Sequence, residues 1–363
     1  MSPSTSLGTP SPRRGRVNVL VGWGGDEEHL EAIRAVSRRL ELFVARAPEE
    51  RLRLAPEAEV WFGWGLSREV FAAAKKLRWI QVTSAGVDRL LFDELRRSDV
   101  IVTNARGVYS IPIAEQVLAM MLAFARQLPT CIREQSRGRW AGSVVGGKPV
   151  VLAGKTCVVL GLGDIGTEVA RRAKAFGMKV LGIRRRPGTL RVSWDAFATD
   201  SVAAGEPPRP APAGQKRPSL PGFVDEVVDQ RGMQAVLARA DYLVVALPLT
   251  EATRHIVDAQ ALSVLKPTAC VFNIGRGALI DEPALIRALQ EGRLAGAGLD
   301  VFEQEPLPPE SPLYRMENVI ITPHSGGRSP ENGEKLVSLF CRNLRRYLAR
   351  KPLLNLVDKA AGY

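Results

Sequence analysis

The sequence predicts an α/β protein with two lobes, each built on a parallel β-sheet covered by helices. Short apolar runs alternate with helical patterns, and this alternation occurs in two separate series along the chain. A glycine-rich loop joins a strand to a helix at the start of the second series. With 363 residues, the chain is long enough for two hydrophobic cores.

The first series covers the N-terminal part of the chain. Its predicted strands are Val17–Val21, Glu59–Trp64, Arg78–Val82 and Val100–Thr103. Its predicted helices are Glu28–Leu40, Ser67–Ala74 and a long apolar helix, Ile111–Gln127, which carries Pro112 in its first turn. Buried strands separated by helices are typical of a parallel sheet.

The second series begins at Thr156. Its predicted strands are Thr156–Leu160, Lys179–Ile183, Tyr242–Ala246, Ala269–Asn273, Ala295–Asp300 and Val319–Thr322. Its predicted helices are Ile165–Phe176, Met233–Ala240, Ala259–Leu265 and Glu282–Glu291. A final amphipathic helix is predicted at Pro330–Arg350.

Two segments interrupt this pattern. Residues 196–222 are dense in Pro, Ala and Gly without periodicity, which favours a loosely packed surface insertion over a functional lid. Residues 1–15 have no apolar core of a secretory signal, so we expect a disordered extension, with a transit peptide as the alternative.

Composition limits the classes of partner. Apolar residues make up 45% and charged residues 24% of the chain, near the averages for a soluble globular protein, and no apolar run is long enough for a membrane helix. The net charge of +12 would permit nucleic-acid binding, but the sequence carries no recognition motif for it. Eight Lys and Arg residues without an acid lie between Arg171 and Arg191, which suits an anionic small molecule equally well. The four cysteines lack metal-ligand spacing, so we expect neither a metal nor disulfides.

The glycine-rich loop is GLGDIG at 161–166, which follows an apolar strand and opens a helix, as a dinucleotide-binding fingerprint requires. Gly161 permits the tight turn, Gly163 lets the backbone approach a pyrophosphate, and Gly166 lets helix and strand pack closely. The helix N-terminus at Asp164 and Ile165 would face the phosphates. An ordinary glycine turn is the alternative interpretation.

The next predicted strand ends in LGIRRRP, where an NAD enzyme places an acid for the ribose hydroxyl. Arg184, Arg185 and Arg186 stand there instead, and guanidinium groups bind a 2′-phosphate. The sequence therefore favours NADP over NAD, with a solvated basic loop as the alternative.

Three polar residues follow predicted strands of the second series. Arg276 lies in NIGRG, Glu305 in DVFEQEPLPP and His324 in TPHSGG. The carboxyl ends of parallel strands share one edge, so these residues can converge. An arginine can hold a carboxylate, a histidine can give a proton to a carbonyl oxygen, and a glutamate beside it favours the protonated imidazole. This set suits the reduction of a 2-oxo acid.

The sequence resembles the D-isomer-specific 2-hydroxyacid dehydrogenases. The resemblance is dense over residues 273–327 and extends through GLGDIG, ADYLVVALPLT (240–250), VTSAGVD (82–88) and NARGVYSIPIAEQVLAMML (104–122). It covers roughly residues 60 to 350. It implies an NAD(P)-dependent oxidoreductase that acts on CH–OH groups, with Arg276 as carboxylate clamp, His324 as acid/base and Glu305 as its partner.

The resemblance also implies the remaining site residues. Backbone N–H groups of Ala85, Gly86 and Val87 would complete the carboxylate site. Asp300 would hold the nicotinamide carboxamide, and the cofactor would also be bordered by Pro248, Thr250, Ile274, Arg276 and His324. Substrate choice would depend on side chains near Trp64, Thr83 and Trp140, and the sequence does not say which 2-oxo acid is used.

The family's architecture implies a Rossmann dinucleotide-binding domain, residues 111–324, inserted into a flavodoxin-like substrate domain, residues 16–110 and 325–363. Residues 126–148 correspond to an arm that embraces a second subunit, so a homodimer is expected. The segment 196–222 departs from the family pattern, and the regulatory extension of longer phosphoglycerate dehydrogenases is absent from the sequence. An NAD(H)-sensing corepressor-like binding protein of the same fold is the alternative function.

Overall fold

The computed structural model describes residues 15–185 and 222–363, which form two compact units. One unit comprises the described residues of Met1–Tyr109 together with Ser329–Tyr363, and the other those of Ser110–Arg328. The predicted N-terminal extension, most of the Pro-rich segment and Arg186 lie outside the described residues.

The first unit contains a 5-stranded parallel sheet. Its strands are β1 (Val17–Gly22), β2 (Leu40–Val44), β3 (Val60–Gly63), β4 (Trp79–Val82) and β5 (Ile101–Thr103). Its helices are α1 (Glu27–Arg34), α2 (Pro48–Leu54), α3 (Arg68–Ala73), α4 (Asp93–Arg97) and α12 (Asn332–Leu348). The strand order β2-β1-β3-β4-β5 is the flavodoxin-like order that the resemblance implies.

Helices cover both faces of this sheet. Buried side chains of α3 and α4, such as Val70 and Leu95, join one core cluster with Ile80 of β4. On the other face, the Phe340 ring of α12 stacks on Phe62 at a centroid distance of 4.0 Å. Burial of these aromatic side chains fixes the C-terminal helix on the N-terminal sheet.

The second unit contains a 7-stranded parallel sheet. Its strands are β6 (Thr156–Leu160), β7 (Lys179–Ile183), β8 (Glu226–Val228), β9 (Tyr242–Val245), β10 (Cys270–Asn273), β11 (Gly296–Leu299) and β12 (Val319–Ile321). The order β12-β11-β10-β9-β6-β7-β8 reverses direction between β6 and β9, as in a Rossmann sheet. This reversal opens a crevice at the carboxyl ends of the strands, where ligands bind in such sheets.

Helices of the second unit lie on both faces of the sheet. They are α5 (Ser110–Ala125), α6 (Leu128–Ser136), α7 (Gly142–Val145), α8 (Asp164–Ala175), α9 (Met233–Leu237), α10 (Ala259–Ser263) and α11 (Glu282–Gln290). Apolar side chains of α5 and α8 belong to one core cluster, and those of α9, α10 and α11 belong to the other. The predicted α/β class with two lobes is confirmed.

The structure differs from the sequence prediction at the sheet edges. The helix predicted at Glu28–Leu40 ends at Arg34, and the chain then forms β2. Neither β2 nor β8 was predicted, because both are edge strands whose residues are only partly buried and so lack a fully apolar run. The short helices α2, α4, α6 and α7 were missed because each offers few turns of periodic pattern.

Candidate active site

Predicted site residues of the second unit lie along one edge of its sheet. Each follows the carboxyl end of a strand, and from β12 to β7 they are His324, Asp300, Arg276, Pro248, Gly161 and Arg184. Because neighbouring strands are parallel, these residues form one row. The row brings the predicted acid/base residues and the glycine loop to the same edge.

His324 and Glu305 form a hydrogen-bonded pair. The imidazole Nδ1 lies 3.0 Å from Glu305 Oε2. Glu305 Oε1 accepts a hydrogen bond from the Phe302 N–H at 3.2 Å, which fixes the carboxylate. The Glu305 side chain is 18% exposed, whereas His324 is 47% exposed. A ligand can therefore reach the imidazole while its carboxylate partner stays largely shielded.

Asp300 anchors the loop that carries His324. Its carboxylate is buried and accepts hydrogen bonds from the Thr322 hydroxyl and from the N–H groups of Ser325 and Gly326. The Asp300 carbonyl oxygen accepts the N–H of His324 at 2.9 Å, and His324 adopts a left-handed φ of 49°. These contacts hold His324 in a conformation that a non-glycine residue rarely adopts. Sequence reasoning gave Asp300 a cofactor contact and did not foresee this anchoring.

Asn273 shapes the turn that carries Arg276. It is buried at the end of β10, where its Nδ2 donates to the Arg276 carbonyl at 2.9 Å and its Oδ1 accepts the Gly275 N–H at 3.2 Å. Arg276 itself is half-buried. Sequence reasoning missed Asn273, although a polar residue ending an apolar strand was the available signal.

Gly277, the next residue, allows a close approach to the segment before Glu305. A Cβ at Gly277 would lie 1.8 Å from the carbonyl carbon of Phe302. The turn carrying Arg276 and the segment carrying Glu305 therefore pack backbone to backbone, which only glycine permits.

The glycine loop has the geometry of a phosphate cradle. Gly161 adopts a φ of 104°, and a Cβ at Gly166 would lie 1.9 Å from the Gly161 carbonyl oxygen. A Cβ at Gly163, by contrast, would meet no atom within 4 Å. Space is thus left open at Gly163, directly before α8, whose first turn offers backbone N–H groups to an anion. The residues present fit a dinucleotide pyrophosphate.

Arg184 and Arg185 follow β7. The Arg184 N–H donates to the Val228 carbonyl at 2.9 Å, which ties this turn to the end of β8. Arg184 is half-buried and Arg185 is exposed. Both lie at the strand end where the sequence placed them.

The predicted cofactor-lining residues also lie at strand ends. Pro248 and Thr250 follow β9, where the Thr253 hydroxyl donates to the Pro248 carbonyl at 2.7 Å. This bond closes the turn after the strand. Ile274 is buried directly after β10.

The turn at Ala85, Gly86 and Val87 belongs to the first unit and follows β4. Asn104 Nδ2 donates to the Ala85 carbonyl at 2.8 Å, and the Ser84 hydroxyl donates to the Gly86 carbonyl at 2.7 Å. Among the described residues, the N–H groups of Ala85, Gly86 and Val87 donate to no backbone acceptor. These N–H groups can therefore donate to a carboxylate. The Tyr109 hydroxyl donates a hydrogen bond to the Thr83 carbonyl, next to this turn. Burial raises the pKa of Tyr109 to about 12.

Two tryptophans proposed for substrate choice are exposed. Trp64 follows β3 in the first unit and is 51% exposed, whereas Trp140 of the second unit is 94% exposed. Thr83 is buried. Trp140 lies in a segment rich in exposed apolar side chains, the others being Leu128, Ile132, Val144, Val150 and Val151.

Two further findings concern the described residues. No single helix among them is long and apolar enough to cross a membrane, although α5 and α6, bent by 70°, meet the length and composition criteria when taken as a pair. Within the same residues, no group of three or more His, Cys, Asp or Glu side chains could hold a metal ion.

A protein-family profile matches most of the second unit. Residues 118–202 and 215–326 match the profile described as "D-isomer specific 2-hydroxyacid dehydrogenase, NAD binding domain". The unmatched residues between these two ranges fall in the Pro-rich segment.

Relatives cover most of the chain. A glyoxylate reductase from Korarchaeum cryptofilum is 32% identical over 81% of this chain and 80% of the relative. A D-3-phosphoglycerate dehydrogenase from Methanocaldococcus jannaschii is 33% identical over 92% of this chain, which spans only 58% of that relative.

Among solved structures, the NADPH-dependent glyoxylate/hydroxypyruvate reductase from Sinorhizobium meliloti, in complex with NADP and sulfate, is 28% identical. It aligns with a TM-score of 0.77 over 96% of this chain and 100% of that chain. The fold, the positions of the predicted site residues at strand ends and the relatives all indicate the same family. The chain belongs to the D-isomer specific 2-hydroxyacid dehydrogenases, a family of NAD(P)-dependent oxidoreductases that act on CH–OH groups.

Proposed function

We propose that this protein is a D-2-hydroxyacid dehydrogenase that reduces a small 2-oxo acid, such as glyoxylate or hydroxypyruvate, with NAD(P)H. The observation that carries the proposal is the hydrogen bond of 3.0 Å between His324 and Glu305, on the sheet edge that also carries Arg276 and the glycine loop. These are the groups that carbonyl reduction beside a carboxylate needs.

Each residue has a defined task. Arg276 binds the substrate carboxylate through paired N–H groups. For the N–H groups of Ala85, Gly86 and Val87, in the first unit, we also propose the binding of a carboxylate. His324 donates a proton to the carbonyl oxygen as it becomes a hydroxyl, and accepts that proton in the reverse direction. Glu305 holds the imidazole by its Nδ1 proton and stabilises the protonated ring. The nicotinamide, when bound, supplies or takes up the hydride at the carbonyl carbon.

The dinucleotide would run along the sheet edge. Its pyrophosphate would bind at the open space beside Gly163 and the N-terminal N–H groups of α8, at Asp164 and Ile165. The nicotinamide end would lie near Pro248, Thr250, Ile274, Arg276, Asp300 and His324. Since Arg184 and Arg185 follow β7, we propose NADP as the preferred cofactor and NAD as the weaker one. The Sinorhizobium meliloti reductase, which is NADPH-dependent, supports this choice.

The substrate class is supported by two of the relatives. One is the Korarchaeum cryptofilum glyoxylate reductase, and the other is the Sinorhizobium meliloti glyoxylate/hydroxypyruvate reductase. A small 2-oxo acid of this kind is therefore proposed as the substrate. We assign residues 16–110 and 325–363 to substrate binding and residues 111–324 to the cofactor.

The proposal includes a cytoplasmic homodimer without nucleic-acid or membrane partners. Residues 126–148 would form the arm that contacts the second subunit, because they include Leu128, Ile132, Trp140 and Val144, all exposed and apolar. A corepressor-like sensor of NAD(H) is disfavoured, since the relatives described above are reductases and dehydrogenases.

The proposal is tested with a panel of 2-oxo acids assayed with NADPH and with NADH. We expect turnover of glyoxylate or hydroxypyruvate, and Arg276→Ala should raise KM for the acid sharply and also lower kcat. Dinucleotide binding without turnover of any acid in the panel would instead identify a sensor. Unchanged KM in Arg276→Ala would place the carboxylate clamp on another residue.

A further inference from the structure

A second imidazole–carboxylate contact lies in the same unit as the acid/base pair. His255 Nε2 is 2.8 Å from Glu303 Oε1, although the two residues are 48 positions apart in the chain. Both side chains are partly exposed, at 41% and 33%. His255 adopts a left-handed φ of 48°, and its N–H donates to the Ala278 carbonyl at 2.8 Å. Its position after β9 is therefore fixed through the backbone.

Glu303 is also bound to the start of α11. The Glu303 N–H donates to Glu282 Oε2 at 3.1 Å, and the Glu282 N–H lies 3.5 Å from Glu303 Oε1 as a longer return contact. Burial, together with the nearby charge of Glu303, raises the pKa of the Glu282 carboxyl. Two carboxylates thus lie close together at this point, and the imidazole of His255 contacts one of them, that of Glu303.

This junction adjoins the segment that leads to Glu305. Glu303 follows Phe302, whose N–H holds Glu305 Oε1, and Glu305 holds His324. The backbone of Phe302 and Glu303 also packs against Gly277, where no Cβ would fit. A shift of residues 302–303 would therefore move the Glu305 carboxylate relative to the imidazole.

We propose that His255 is a positioning residue of the acid/base pair, acting through Glu303 to hold Glu305 in hydrogen-bond range of His324. The inference rests on the proposed function for its kinetic consequence. The imidazole of His255 hydrogen-bonds Glu303, one of two adjacent carboxylates, and so ties the loop after β9 to the loop after β11. Without it, the segment relaxes and the hydrogen bond to His324 loses its geometry.

The test compares His255→Ala with His255→Gln, whose side-chain amide can donate to Glu303 from a similar reach. The matched control is Arg293→Ala, which removes an exposed contact of 2.7 Å between Arg293 and Glu291 elsewhere in this unit. Each variant is assayed for kcat and for both KM values. Nitrogen-15 NMR of the imidazoles reports whether His324 keeps its proton on Nδ1 at alkaline pH. The three histidines of the chain can be assigned by single substitution.

We expect His255→Ala to lower kcat about 10- to 100-fold, since small misplacements of a reacting group have effects of that order. The KM for cofactor should stay within about twofold, His324 should lose its Nδ1–H tautomer, and His255→Gln should restore both kcat and tautomer. Arg293→Ala should behave as wild type.

An unchanged tautomer in His255→Ala would overturn the inference whatever the activity. Equal loss in His255→Gln and His255→Ala would do so as well. The NMR readout does not require turnover, so failure of the positioning role is distinguishable from failure of the proposed reaction. If no 2-oxo acid is reduced but the tautomer still depends on His255, only the proposed function falls.

Discussion

At the scale of single residues, the pair of His324 and Glu305 is the part of the site whose chemistry can be measured most directly. We predict that His324→Ala lowers kcat by about 10²- to 10⁴-fold, because a general acid–base group contributes that much. His29→Ala, which changes a histidine of the first unit, serves as the control. Steady-state kinetics with circular dichroism for folding check this, and near-normal kcat in His324→Ala would remove it from the mechanism.

We expect cofactor choice to depend on individual side chains as well. We predict that the wild type prefers NADPH and that replacing Arg184 and Arg185 together by Ala reduces kcat/KM for NADPH by about 10- to 100-fold. Each charged hydrogen bond to the 2′-phosphate is worth ~1.5–3 kcal/mol before exposure and salt are considered. The value for NADH should change little, which makes NADH the internal control. Equal or better efficiency with NADH in the wild type would show that these arginines do not select the cofactor.

At the scale of elements, two glycines of the loop 161–166 have different predicted roles, one in binding and one in folding. We predict that Gly163→Ala folds normally but binds the dinucleotide more weakly, because the added Cβ enters the open space proposed for the pyrophosphate. Gly166→Ala should lower thermal stability instead, since its Cβ would lie 1.9 Å from the Gly161 carbonyl oxygen. Thermal unfolding and dinucleotide titration of both variants check this. Unchanged affinity in Gly163→Ala would mean that the phosphates bind elsewhere.

At the scale of the whole molecule, the exposed apolar side chains of residues 126–148 predict a dimer in solution. Ile132 on α6 is 63% exposed, and Ile132→Asp should place a charge in the proposed interface and shift the protein towards monomer. Leu52→Asp is the matched control, because Leu52 is 44% exposed but lies in the first unit. Light scattering coupled to size-exclusion chromatography gives the masses. A wild-type monomer, or a dimer unaffected by Ile132→Asp, would rule out this arm as the interface.

The sequence by itself determined the α/β class and the position of the chemistry-bearing residues along the chain. Periodic apolar patterns depend on local burial, so the central strands could be predicted, and Gly161, Arg276 and His324 were placed at strand ends by their position in the motifs alone. Edge strands such as β2 were not predicted, because partly buried residues give a weaker apolar pattern in the sequence.

Tertiary structure decided which of those residues meet. The anchoring of the His324 loop by Asp300, the turn held by Asn273 and the contact of His255 with Glu303 all join polar groups whose partners depend on strand order. Polar side chains are satisfied by whichever donor or acceptor the fold brings within about 3 Å, and no local periodicity encodes that choice. The sequence therefore supplied the candidate reacting groups, whereas the packing of loops between neighbouring parallel strands determined what holds them in place.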